Sequence, residues 1–141
     1  MTVTPSRFHW KFKALATIDQ APPVVNTWYP ILDTTSKVRL YSMGVKQVND
    51  EAAEQIIQMR LVIDGITTSA NGIATANNSM RYFYVNPVNE NLTVQGATTF
   101  FNAGYYVATH GKSLKVEARV LGVGTTQHLY GYVRYAKLEA L

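Results

Sequence analysis

The chain has 141 residues, of which 47% are hydrophobic and 16% charged, with no cysteine and a formal net charge of +4. That size and apolar content fit one domain, residues 1–141, with a full core, and the lack of thiols excludes disulfides, thiolate zinc centres and cysteine nucleophiles without fixing a compartment. Neither a membrane span nor secretion is expected, because no long unbroken apolar run occurs and the opening MTVTPSRFHWKFK lacks the apolar stretch of a signal peptide.

Arg7, Lys11 and Lys13 stand in the first thirteen residues without any acid, leaving ten basic against nine acidic residues in the rest, so the basic excess is local to one end. In the same segment Phe8, Trp10 and Phe12 alternate with Arg7, His9 and Lys11. Period two puts three rings on one face of an extended segment, which predicts either a first strand or a basic aromatic docking arm over 1–13. In VNTWYPILDTTSKVRLYSMGVKQ, residues 25–47, Pro30 has no N–H to give to a ladder, so its run is read as an edge strand or as one that carries a bulge. Asp33 to Ser36 form the corner that follows.

The segment NDEAAEQIIQMRLVID mixes two periods. Ala52/Ala53 and Ile56/Ile57 are spaced as on a helix, whereas Ile57, Met59, Leu61 and Ile63 alternate. We read 49–54 as a loop or single helical turn and 55–63 as strand, with Asp64-Gly65 as a hairpin turn. ITTSANGIATANNS, 66–79, is small and polar and reads as a long loop or as two weak strands joined at Asn71-Gly72. MRYFYVN (80–86), LKVEARV (114–120) and QHLYGYVRYAK (127–137) read as strands, with HGKS (110–113) and GVGTT (122–126) as turns. In LKVEARV the apolar positions face a core and Lys115, Glu117 and Arg119 face water. About eight strands result and no helix long enough to link parallel strands, so the expected class is all-β, an antiparallel β-sandwich or jelly roll.

Little in this pattern supports catalysis. There is no G-x-S-x-G, and GVGTT lacks the lysine and spacing of a phosphate loop. His9, His110 and His128 fall on three different elements without metal-ligand spacing. Asp50, Glu51 and Glu54 cluster in an expected loop without the alternating order of a calcium loop, and Asp33 and Asp64 are turn residues. No enzyme, metal or cofactor is expected. The basic aromatic N-terminus could neutralise phosphates and stack on bases, but its strict alternation favours a strand or docking arm over a nucleic-acid site. Tyr82, Tyr84, Tyr105, Tyr106, Tyr130 and Tyr132 could form a sugar-stacking platform, but tyrosines are common in strand cores and at interfaces, and that reading is favoured over a platform.

NTWYPILDTT, VRLYSMGV and MRLVIDG, within residues 24–66, resemble small β-sandwich structural proteins of tailed bacteriophages, including capsid decoration and tail-associated proteins. Asn26, Thr27, Trp28, Tyr29, Arg39, Leu61, Asp64 and Gly65 carry the likeness, and NDEAAE and Pro30 depart from it. The resemblance implies a virion protein without catalysis, whose oligomers bind a capsid or tail lattice. The expected contact residues are Arg7, Phe8, Trp10, Lys11, Trp28, Tyr29, Pro30 and Ile31, joined by the 66–79 segment. A closed homo-oligomer with capsid or tail partners is expected, with no membrane and no nucleic acid. The alternative is a carbohydrate-binding module, with a glycan as partner.

Overall fold

The computed structural model describes residues 8–12, 15–35, 38–48, 55–74, 80–86, 91–94, 105–107, 113–121 and 126–140. These residues form eleven strands in two antiparallel sheets packed as a sandwich. The larger sheet is built on two long strands, β4 (Val38–Val48) and β11 (His128–Ala140), which pair along most of their length. On the far side of β11 lie β1 (Phe8–Phe12) and β2 (Ala16–Gln20), one after the other along the same edge. On the far side of β4 lie β7 (Met80–Val85) and β9 (Tyr105–Val107), with β8 (Leu92–Val94) outside β7. The smaller sheet runs β3 (Tyr29–Thr34), β10 (Leu114–Leu121), β5 (Gln55–Ile63), β6 (Ile66–Ala74).

Alternation builds the core. Leu114, Val116, Ala118 and Val120 of β10 and Ile57, Met59 and Leu61 of β5 are fully buried on the inner face of the smaller sheet. They meet Val38, Leu40, Met43 and Val45 of β4, Leu129 and Val133 of β11, and Phe83 and Val85 of β7 in one apolar cluster. Each Val, Leu or Ile sealed this way contributes roughly 1.5–3 kcal/mol. Two bulges adjust the alternation. β4 carries an additional residue, Tyr41, where its register against β11 shifts between Arg134 and Tyr135.

The other bulge lies beside Pro30. The β3–β10 register passes from Leu32 opposite Val116 to Pro30 opposite Glu117, so Ile31 is the extra residue. β3 is also an edge strand, so the proline satisfies both sequence expectations together. The bulge turns Ile31 and Leu32 inward in succession, each 8% exposed. β3 runs through Asp33 and Thr34, so the corner begins later than expected, at Thr35, and the chain passes there from the smaller sheet to the larger.

The Asp64-Gly65 turn is present, with φ of 49° and 85° at its two residues, the left-handed pair of a type I′ hairpin. Asp64 also ties the hairpin to the start of β10, its carboxylate accepting from Ser113 N–H at 2.9 Å and its own N–H donating to the Ser113 carbonyl at 2.9 Å. The reading of 66–79 is corrected: residues 66–74 are one strand, and Asn71-Gly72 lies inside it rather than at a turn. Pairing with β5 outweighs the local turn preference, and Gly72 lets the Arg81 side chain pack within 3.2 Å of where a Cβ would stand. Residues 49–54, 110–112 and 122–125 lie outside the described residues.

Candidate functional site

The outer faces of the two sheets carry different chemistry. On the smaller sheet, the link from β2 to β3 is held to the end of β10 by Asn26 N–H donating to the Val120 carbonyl at 3.0 Å. Asn26 takes the left-handed φ of 66° there, and the Tyr29 hydroxyl accepts from Val24 N–H at 2.8 Å. This strap sets Trp28 on the sheet's outer surface, with the guanidinium carbons of Arg60 and Arg119 each 4.3 Å from its ring centroid. Arg60 stands opposite Glu117 and Arg119 opposite Gln58 across the β10–β5 ladder. Arg60 Nε donates to Glu117 Oε1 at 2.7 Å and Arg119 Nε to Gln58 Oε1 at 2.6 Å.

Glu117 was expected to face water, and this is corrected: it is 6% exposed, covered by its arginine. Beside it, Asp33, Arg60, Val62, Thr67, Ser113 and Lys115 border a shallow depression of about 440 Å³. Lys115 Nζ stands 3.9 Å from Asp33 there. Arg60 is paired with Glu117, and Arg119 is held by Gln58 and the Trp28 ring, so this face is a strut for the strap before it is a ligand site. Trp28→Ala is expected to cost about 1–2 kcal/mol, from two cation–π contacts and the lost ring burial, and Trp28→Phe clearly less. Urea denaturation of the two variants checks this, and equal losses would dissociate Trp28 from the arginine pair.

The outer face of the larger sheet is aromatic. In β11 the inward Leu129, Gly131 and Val133 alternate with Tyr130 and Tyr132, and in β7 the inward Phe83 and Val85 alternate with Tyr82 and Tyr84. Register sets Tyr132, Gly44 and Tyr82 in one row across three strands, and Tyr130, Lys46 and Met80 in the next. All four tyrosines are half-buried. Gly44 is required by close approach, since a Cβ there would stand 2.5 Å from Tyr132 Cε1 and 2.9 Å from Met80 Sδ. Burial raises the Tyr132 phenol above the usual tyrosine range, with the Ser42 hydroxyl opposing the shift. The phenol is therefore neutral at physiological pH and able to donate or accept. At one margin His128 stacks on Tyr130 with centroids 5.3 Å apart and sets Nδ1 3.0 Å from Asp19 Oδ1. Lys46 Nζ lies 5.6 Å from the Tyr130 ring centroid.

The expected contact residues are scattered over these surfaces. Arg7 is outside the described residues, and Phe8, Trp10 and Lys11 are placed by backbone alone, in β1 at the margin of the larger sheet. Trp28 and Pro30 lie on the outside of the smaller sheet, Tyr29 packs against the core, and Ile31 is inside it. Of the six tyrosines named as a sugar platform, Tyr82, Tyr84, Tyr130 and Tyr132 share one face, and Tyr105 and Tyr106 lie on β9 along the same sheet. Arg60 and Glu117 are 57 residues apart, and no sequence signal joins them. Among the described residues no group of three or more His, Asp or Glu side chains is gathered that could hold a metal ion.

No family model matches the chain, and no curated protein matches it in sequence. Among solved structures it is similar to a chain from the structure of infectious bursal disease virus, Gt strain, at 13% identity and a TM-score of 0.24. The match covers 96% of this chain and 42% of that one, so the chain spans about two fifths of the length of the virus chain. The likeness is weak, and it is to a virus protein.

Proposed function

We propose that the chain is a non-enzymatic structural protein of a virus particle, a capsid decoration or tail-associated protein of a bacteriophage that works through contacts between copies and with a capsid or tail lattice. The observation that carries the reading is β6. It is nine residues long, ITTSANGIA, with neither a charge nor a proline, and among the described residues it has a ladder partner, β5, on one side only. On the other side β8 and β7 pack beside it without forming a ladder, and Leu92 N–H donates to Thr68 Oγ1 at 3.0 Å. Natural sheets guard such an edge with lysine, proline or a bulge, because its backbone groups are a template for another strand.

The opposite edge, β3, has both proline and bulge. The contrast supports β6 as the edge that is joined, and its first residue, Ile66, is 76% exposed. Pairing of equivalent edges under closed symmetry satisfies the backbone and leaves the outer faces free for a lattice. The resemblance of residues 24–66 to phage sandwich proteins supports the virion setting.

The test is the mass in solution at low micromolar concentration, by light scattering coupled to size exclusion, for the intact protein and for Thr67→Lys/Ser69→Lys. Both substituted positions are exposed on β6. The intact protein is expected to be a defined oligomer and the variant a monomer with an unchanged melting temperature. A strictly monomeric intact protein overturns the reading.

A further inference from the structure

From the row of tyrosines on the larger sheet we infer that this outer face binds an acidic oligosaccharide, a chain of hexose units carrying carboxylates. This goes beyond the proposed lattice role and stands on a different surface from the β6 edge.

The chemistry of a hexose is two-sided. Its C–H groups form an apolar patch that lies on an aromatic ring, and its hydroxyls need donors and acceptors around the rim of that ring. A tyrosine meets both requirements, with an apolar body and a polar tip. Here four of them share one face of the sheet: Tyr130 and Tyr132 on β11, and Tyr82 and Tyr84 on β7, with β4 between. Two strand spacings separate the pairs by about 10 Å, and successive rings on one strand stand about 7 Å apart. The surface is thus a platform wider than one sugar ring rather than a pocket for one.

The strand between the two pairs is built to keep the platform low. Gly44 has no side chain to rise between Tyr132 and Tyr82, and the Tyr132 ring lies in the space a Cβ would take. A larger residue at 44 would stand the ring up and break the surface into two. Tyr132 is packed over Gly44 and Tyr130 is stacked on His128, so these two rings have less side-chain freedom to lose when a ligand arrives, which favours binding.

Charge selects the class of sugar. Lys46 stands in the row of Tyr130, and the exposed Arg134 follows Tyr132 by one strand repeat on the same face. The acid of this part of the face is Asp19, opposite Tyr130, and it is engaged by His128 at 3.0 Å. Two cations therefore flank the rings against this one carboxylate, a local excess of positive charge that suits a ligand with its own carboxylates. A nucleic acid would need more than two phosphate contacts to hold at physiological salt.

The experiment is isothermal titration of the intact protein with a hyaluronan octasaccharide, which alternates glucuronate with an N-acetylated hexosamine, and with chitotetraose as the neutral counterpart. The expected result is saturable binding of the hyaluronan probe, at least tenfold weaker binding of chitotetraose, and a loss of tenfold or more in Tyr130→Ala. Lys46→Gln, a surface change that leaves the rings in place, is expected to weaken hyaluronan severalfold and leave chitotetraose unchanged. Circular dichroism of both variants establishes that they are folded. No binding at millimolar probe overturns the inference, as does binding that Tyr130→Ala leaves unchanged, which would be charge attraction alone. Equal binding of the two probes overturns the acidic class. A Tyr130→Ala variant that loses oligomer mass while intact protein ignores both probes makes this face a protein interface and overturns the inference, whereas a monomer that binds hyaluronan upholds it and removes the lattice reading instead.

Discussion

Arg60→Ala is expected to destabilise the fold by about 3 kcal/mol, the lower end of what breaking a buried ion pair costs. The reason is the asymmetry of the pair. Glu117 has a side chain 7% exposed and Arg60 one that is 30% exposed, so removing the arginine strands a carboxylate that water reaches poorly. The same substitution takes one of the two guanidinium groups from the Trp28 ring and loosens the strap. Replacing both members by apolar residues of similar size, Arg60→Met with Glu117→Leu, is expected to cost far less than Arg60→Ala alone, because no charge is then left buried. Equilibrium urea denaturation of the two variants and the parent measures both values. A double replacement as damaging as the single one would mean that the pair itself, rather than the orphaned charge, holds the sheet.

Gly131→Val is the second large effect, expected at about 3 kcal/mol, at the upper end for overpacking. A Cβ at 131 would lie 2.7 Å from Ile31 Cδ1 and 3.1 Å from Ile18 Cγ1, so the bulged β3 and the margin strand β2 both press on this one position. Valine suits a strand better than glycine, which offsets part of the loss. The clash has an identified partner. In the double variant with Ile31→Ala the removed side chain makes room, and the combined loss should fall short of the sum of the single losses by about 1–2 kcal/mol. Strict additivity would show that Gly131 and Ile31 are not the contact that matters, and that the bulge beside Pro30 is set by something else.

Both effects lie at contacts between segments far apart in the chain. Strand identity is local: Leu114, Val116, Ala118 and Val120 alternate with polar neighbours, and β10 occupies Leu114–Leu121. β5, Gln55–Ile63, likewise follows the alternation of Ile57, Met59 and Leu61 in preference to the helical spacing before it. Asp64-Gly65 turns because its residues tolerate the left-handed backbone, and Pro30 marks its strand as an edge because it cannot donate. These follow from one residue and its near neighbours. Among the described residues the least marked strands are β8 and β9, of three residues each.

Sheet membership is not local, and it settles the rest. Period two says that Tyr130 and Tyr132 share a face and that Tyr82 and Tyr84 do. Only the pairing of β4 with both β11 and β7 makes it the same face. The same residue type, Asn-Gly, is a turn signal that β6 overrides, since its ladder with β5 continues through Asn71 and Gly72. Glu117 lies on the polar side of its strand by alternation and is buried all the same, because Arg60 from β5, itself held over the Trp28 ring, pairs with it. The sequence by itself determined an all-β chain, the places of its main strands and the guarded edge at Pro30, because backbone preference and alternation are read one segment at a time. Which strands became neighbours, and hence which side chains meet, was decided by packing two sheets of fixed twist over one core, a choice that no single segment contains.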